Sequence, residues 1–267
     1  MDAAHADSAR FAAASAATVP PALEVRHLTG PAGAPVIHDV SLAVPRGRTH
    51  LVLGPIHSGK SLLMRHIVGL ECAQHGTILV EGEPYDATGA PEPVLRRMRT
   101  RIGVIFEGSA LFTRLSVLEN VELPLLEHTA ASPAEARGAA RELLDEVGLR
   151  ADSELTPLQL GRLERRRVAL ARALALRPPV VLLDEPTHGL DSHSAQLFDE
   201  TLARLQDDEG FALMLFSHEV RHAYGRAESI AVMSDGVVVE QGPREALLQS
   251  DHEVIRRLLR RRERERA

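Results

Sequence analysis

The octapeptide Gly54-Pro55-Ile56-His57-Ser58-Gly59-Lys60-Ser61 constrains this chain more than any other stretch. It has the spacing Gly-x-x-x-x-Gly-Lys-Ser. It follows the strand-like Thr49–Leu53 and opens an apolar, helix-like run, Leu62–Leu70. In that setting the glycines let the backbone curl until its N–H groups converge, and the helix start adds the positive end of its dipole. The convergence suits a phosphate chain. All eight residues of the loop are expected around the phosphates of a nucleotide, with Lys60 reaching the β- and γ-phosphates and the Ser61 hydroxyl offered to Mg2+. Basic-residue usage singles out the same spot: of 31 Lys and Arg residues, 30 are Arg, and the one lysine is Lys60. A compact ammonium and a forked guanidinium are not interchangeable around phosphate oxygens.

A second constellation lies far along the chain. Val180-Val181-Leu182-Leu183-Asp184-Glu185-Pro186 reads as a strand buried on both faces that delivers two adjacent carboxylates. Successive side chains leave a strand in different directions, so the pair can divide two jobs. Asp184 is expected to hold Mg2+ and Glu185 to polarise an attacking water. His218 follows the next apolar strand, Phe211–Phe216. It is a candidate for touching the γ-phosphate and orienting that water, although a strand-end histidine taken alone is more often structural.

Composition removes several alternatives. The chain has 267 residues, 37 acidic against 31 basic, for a net charge of −6. That balance argues against a general nucleic-acid binder. A single cysteine, Cys72, rules out an intramolecular disulfide and fits a reducing compartment. No apolar run approaches the ~20 residues that span a bilayer. The N-terminus lacks a basic region followed by a compact apolar one, so neither a secretory signal nor a membrane span is expected.

Residues 1–21 are Ala-rich, end in Pro20-Pro21, and read as a disordered leader. Short strands are expected at Leu23–Leu28, Val36–Val44, Gly76–Val80 and Arg101–Phe106, with a basic helix at Val94–Arg101. Ser116–Leu126 reads as helical or turn-rich. Ser132-Pro133-Ala134-Glu135 is a helix start, with Ser as N-cap, Pro at the first position and Glu at the third. Arg162–Arg177 and Ser192–Asp208 read as helices. Ile230–Met233 and Val237–Glu240 form an expected hairpin about Ser234-Asp235-Gly236. The last 17 residues read as a solvated, charged helical tail. Strands alternating with helices indicate an α/β fold with a mostly parallel core.

The order of the P-loop, Leu183-Asp184-Glu185-Pro186, Gly189-Leu190-Asp191 and Ser217-His218 resembles the ATP-binding cassette of ABC transporters over about residues 23–250. The resemblance implies a P-loop NTPase with a RecA-like parallel core, an N-terminal antiparallel β subdomain and a helical subdomain at about 107–172. It implies ATP and Mg2+ as ligands. Arg101-Ile102-Gly103-Val104-Ile105-Phe106-Glu107-Gly108-Ser109-Ala110-Leu111-Phe112 and Leu118-Glu119-Asn120-Val121-Glu122-Leu123-Pro124-Leu125-Leu126-Glu127-His128-Thr129 are similar to one branch, the ATPases of MCE (Mla-type) lipid transporters. That branch implies a subunit that dimerises on the cytoplasmic face of a membrane permease, works with an MCE-type substrate-binding protein and moves lipids. Closure would pass to the permease through the region from Glu107 to about Arg165.

Departures from the family pattern cluster on the nucleotide sandwich. The signature core Leu-Ser-Gly-Gly falls at Leu160-Gly161-Arg162-Leu163, so the serine and both glycines are missing from their places. Arg162 reads either as a phosphate contact of its own or as a solvated helix-start residue. Glu107 stands where the family has a Gln that bridges Mg2+ and the helical subdomain; it keeps an oxygen for the metal but adds negative charge beside a triphosphate. No ring near Gly30 can stack on adenine, and Ile56-His57 replace small residues. These changes leave three readings: an active transporter ATPase, a nucleotide-gated or degenerate half of a heterodimer, and a cassette acting on DNA or ribosomes, which the negative charge disfavours. Restoring Leu-Ser-Gly-Gly with Gly161→Ser, Arg162→Gly and Leu163→Gly is expected to raise ATP turnover several-fold, and an unchanged steady-state rate counts against the account.

Overall fold

In the computed structural model, which describes residues 20–31, 37–149, 154–219 and 223–264, two sheets are built in turn. The leader, the Ala32–Gly33 end of the first turn, Val36 and the last three residues of the tail lie outside the described residues, apart from Pro20 and Pro21. The strands are β1 (Leu23–Thr29), β2 (Val40–Val44), β3 (Thr49–Leu53), β4 (His75–Val80), β5 (Glu83–Asp86), β6 (Ile102–Ile105), β7 (Val180–Asp184), β8 (Ala212–Ser217), β9 (Ser229–Ser234) and β10 (Val237–Pro243). The helices are α1 (Lys60–Ile67), α2 (Glu92–Arg99), α3 (Val117–His128), α4 (Pro133–Glu146), α5 (Arg162–Leu174), α6 (Ser192–Glu209), α7 (Ala223–Arg226), α8 (Arg244–Leu247) and α9 (Glu253–Arg264).

One sheet has four antiparallel strands in the order β2-β1-β4-β5. The other has six, in the order β10-β9-β3-β8-β7-β6, parallel except for β10. The continuous apolar runs become its centre: every residue of β3, β7 and β8 is buried. Side chains alternate across these strands. Leu51, Leu53, Val181, Leu183, Leu213 and Leu215 enter a core shared with α3, α4, α5 and α6. Val52, Val180, Leu182, Met214 and Phe216 enter a second core beneath the antiparallel sheet. This is the α/β architecture expected from the alternation of strands and helices.

Local chemistry sets most boundaries. Ser132 and Glu135 form a reciprocal capping box at the start of α4, and Ser116 and Glu119 form another at α3. Asp235 and Gly236, at φ 49° and 80°, make the two-residue turn of the β9–β10 hairpin. Asn120, fully buried, accepts from the Phe112 N–H and donates to the carbonyls of Phe112 and Ser116, which ties the loop after β6 to α3.

Four expectations are corrected. β5 went unread because Glu83-Pro84-Tyr85-Asp86 lacks an apolar run; it forms as a sheet edge, where proline is tolerated. β2 starts at Val40, since Asp39 turns to φ 46°. α5 stops at Leu174, and Arg177 adopts φ 46° ahead of Pro178-Pro179. The charged tail is not wholly solvated: Ile255 and Leu258 of α9 are buried in the first core.

Gly103 on β6 lies against α5, where a Cβ would sit 2.6 Å from the Ala173 carbonyl oxygen. That neighbour is backbone and cannot swing away. Gly103→Ala is expected to lower stability by about 1–3 kcal/mol, read as an earlier urea midpoint with an unchanged slope.

Candidate functional site

The parallel strands end at one level. Leu53 pairs with Ser217, Phe216 with Asp184, and Leu183 with Ile105. The loops leaving β3, β7, β8 and β6 therefore meet along one edge, the carboxyl edge where ligands of open α/β sheets bind. They line a cleft of about 400 Å³ with residues 56–61, Glu107, Glu185, His188 and His218.

The loop after β3 is held from several sides. Gly54 N–H donates to the Ser217 carbonyl at 3.2 Å, and Gly236 N–H in the hairpin turn donates to the Ser58 carbonyl at 3.0 Å. A Cβ on Gly54 would lie 2.2 Å from the Met233 carbonyl oxygen, so only glycine fits. His57 and Gly59 have φ of 67° and 99°. α1 then begins at Lys60, so the loop's N–H groups and the helix start share one concavity. Lys60 is 6% exposed, and its ammonium donates to the carbonyls of Gly54 and Pro55 at 2.9 and 2.8 Å and to Ser58 Oγ at 3.3 Å.

β7 delivers Asp184 and Glu185 to opposite tasks. Asp184 is buried, receives the Ser61 hydroxyl, and has one oxygen, Oδ1, without a hydrogen-bond partner. An orphaned carboxylate oxygen beside a serine hydroxyl at the start of α1 is a donor set that fits Mg2+, which takes oxygen ligands. Glu185 turns away at φ 47°. Its Oε1 accepts from His218 Nδ1 at 2.7 Å and from the His218 N–H at 2.8 Å, and its Oε2 accepts from Ser217 Oγ at 3.0 Å. Because an ionised carboxylate can only accept, this contact puts a hydrogen on Nδ1 and leaves His218 Nε2 as the ring nitrogen free of Glu185.

All the residues expected at the site are thus brought together, Gly54 and Pro55 through their carbonyls on Lys60. Glu107 is exposed at the cleft rim. Arg166 was missed as a functional group. It is buried, reaches the carbonyls of Phe106 and Glu185 at 3.4 Å each, and its guanidinium is stabilised by Glu107, Asp184 and Glu185 against its own desolvation. Six residues on, Arg172 donates to the carbonyls of Ala110 and Ser109 at 2.9 and 3.1 Å and lies over the Phe112 ring. The sequence showed both only as members of an Arg/Ala helix. Arg162 is exposed as the first residue of α5, in line with the helix-start reading, and its Nη1 donates to the Gly189 carbonyl at 2.7 Å, tying the start of α5 to the turn after Glu185. Gly161 precedes α5 without a capping side chain.

A family profile described as ABC transporter matches residues 37–188. The chain is 38% identical to the methionine import ATP-binding protein MetN 1 of Rhodococcus jostii, over 86% of this chain and 69% of that protein. It is 41% identical to the lipoprotein-releasing system ATP-binding protein LolD of Bordetella pertussis, over 81% of this chain and 94% of that protein. A solved dimeric ATP-binding cassette in a post-hydrolysis state, bound to ADP and Pi, superposes with a TM-score of 0.73 at 29% identity, covering 83% of this chain and 98% of that one.

Burial raises the pKa of Asp184 above its ordinary value, and Glu185 and Glu107 add to the rise while Ser61 and Lys60 oppose it. The folded state therefore binds this proton more tightly than the unfolded chain. The stability it contributes is complete below the ordinary carboxylate pKa and is lost as pH rises through the raised folded value. Asp184→Asn is expected to raise the thermal midpoint of the nucleotide-free protein at pH 7.5, with the gain shrinking to nothing toward acid pH below the usual Asp range.

Proposed function

The chain belongs to the ABC transporter family as an ATP-binding subunit, and on that premise we propose that it is an active ATPase driving a lipid-type transporter of the bacterial envelope. The family binds Mg·ATP and hydrolyses it. The observation that carries activity for this chain is Glu185, gripped by His218 and Ser217 at the edge of the P-loop cleft.

In this reading the loop Gly54–Ser61 and the start of α1 bind the triphosphate, and the Lys60 ammonium leaves its own carbonyls for the β- and γ-phosphate oxygens. Ser61 and Asp184 hold Mg2+, with Glu107 at the rim beside them. Bound there, Mg2+ supplies positive charge against the phosphate oxygens. Glu185 accepts the proton of the attacking water. His218 Nδ1–H and Ser217 Oγ–H fix the carboxylate's rotation, so the remaining lone pairs point into the cleft, and His218 Nε2 faces the γ-phosphate. Positioning of this kind supplies the larger part of such a reaction's acceleration. Arg166 sets a positive charge beside the three carboxylates before the nucleotide arrives.

The lipid assignment is supported by the two stretches at 101–112 and 118–129 that resemble Mla-type ATPases. Among the relatives, the LolD protein is named for lipoprotein release, while MetN 1 is named for methionine import. The subunit would sit on the inner, cytoplasmic face of the cell membrane against a permease, with an MCE-type protein presenting the substrate. No helix among the described residues is long and apolar enough to cross a membrane itself. A second cassette completes the nucleotide sandwich, in keeping with the dimeric state of the solved relative.

One observation favours a second reading, a degenerate half that needs an intact partner: Arg162 and Leu163 occupy the signature positions, and Arg162 is engaged within its own chain. Turnover of the purified chain beside Glu185→Gln separates the two. The variant is expected to lose on the order of a hundredfold or more in turnover while still binding ATP, as removal of a general base does. Tight Mg·ATP binding with equal background turnover in both proteins would overturn the active reading in favour of the second.

A further inference from the structure

We propose that His188, His218 and Glu219 form a binding site for a divalent transition metal of the Zn2+ type, separate from the Mg2+ position at Ser61 and Asp184. One ligand atom from each lies within 4.8 Å of the other two. They come from two neighbouring loops. His188 sits in the tight turn after β7, where its N–H donates to the Glu185 carbonyl at 3.2 Å, and His218-Glu219 follow β8.

Three features make this a metal site rather than a chance cluster. The first is His218. Its Nδ1 is held by Glu185 at 2.7 Å, so Nε2 is the ring nitrogen left for an ion, and a carboxylate holding the far nitrogen is the arrangement that orients metal-binding histidines. The second is proximity. Glu219 Oε1 lies 3.7 Å from His218 Nε2, and ligands on a tetrahedral ion with bonds of about 2.0–2.1 Å stand roughly 3.4 Å apart. The His188 ring, 5.7 Å from that of His218 and tilted 59°, is not stacked on it. His188 and Glu219 are exposed and can turn the remaining distance, while the Glu219 N–H is anchored on Ser217 Oγ at 3.0 Å. The third is donor type. Two imidazoles and one carboxylate suit zinc or cobalt, whereas Mg2+ takes oxygen ligands and keeps its waters. His188 and His218 both line the cleft.

On the reading under Proposed function, such an ion would occupy His218 Nε2, the atom that faces the γ-phosphate, and would hold the chain in a non-hydrolysing state. The site itself does not depend on that reading, and its test needs no hydrolysis. Cobalt(II) chloride is titrated into the nucleotide-free full-length chain in excess Mg2+, and the visible bands of four-coordinate cobalt are followed, with zinc added last to displace them. One equivalent is expected to bind. His188→Ser and Glu219→Gln, both at exposed positions, are each expected to weaken binding by about tenfold or more with an unchanged thermal midpoint. Absence of the bands, or wild-type bands and affinity in both variants, overturns the proposal. Zinc is further expected to slow ATP turnover of the wild-type chain several-fold. Undiminished turnover at cobalt-saturating metal would keep the site and overturn its inhibitory part.

Discussion

Every group at the cleft depends on the register of β8 between β3 and β7. Those pairings place Leu53, Ser217, Asp184 and Phe216 side by side at the strand ends, and β6 follows through Ile105 and Leu183. Neighbouring strands stand about 4.8 Å apart, so residues separated by more than thirty positions in sequence arrive within a hydrogen bond of one another. Glu185 illustrates it: its N–H is held by the Phe216 carbonyl at 2.9 Å and its carboxylate by Ser217 and His218. A slip of one residue would send the alternating side chains of each strand to the wrong core, so the apolar pattern that builds the two cores also fixes the geometry of the cleft.

Around that frame the division of labour between basic residues is sharp. Arg166 and Arg172 act on backbone carbonyls, bracing the loop from Phe106 to Ala110 against α5. That loop needs bracing, because Gly108, Ser109 and Ala110 all have positive φ. A guanidinium can span two carbonyls at once, which an ammonium at the same place would not do with fixed geometry. Where a compact cation must sit in the concavity of a loop, the chain uses its one lysine.

How much of this could be read beforehand follows from the range of each interaction. The P-loop, the Asp184-Glu185 pair and the cap at Ser132 were legible because their chemistry is local: spacing, a strand end, a reciprocal hydrogen bond three residues long. The contact of Arg162 with Gly189 was not, since nothing in the start of α5 announces a carbonyl 27 residues away. Arg166 was hidden for the same reason, its partners lying 60 and 19 residues off. β5 escaped because edge strands carry little apolar signal, and the burial of Ile255 and Leu258 because two apolar residues among so many charges look incidental until the first core is there to receive them.

The Lys60 ammonium has three hydrogens, and all three are spent on its own loop. The cation thus carries an internal stand-in for its ligand. A lone monovalent anion offers less in exchange than the two carbonyls and the hydroxyl that Lys60 already holds. A chain of phosphates presents several oxygens at once to the lysine and to the surrounding N–H groups, and can take over the whole set in one step. The loop therefore acts as a filter for multiplicity of charge, keeping its shape and its cation out of circulation until a ligand with enough oxygens arrives.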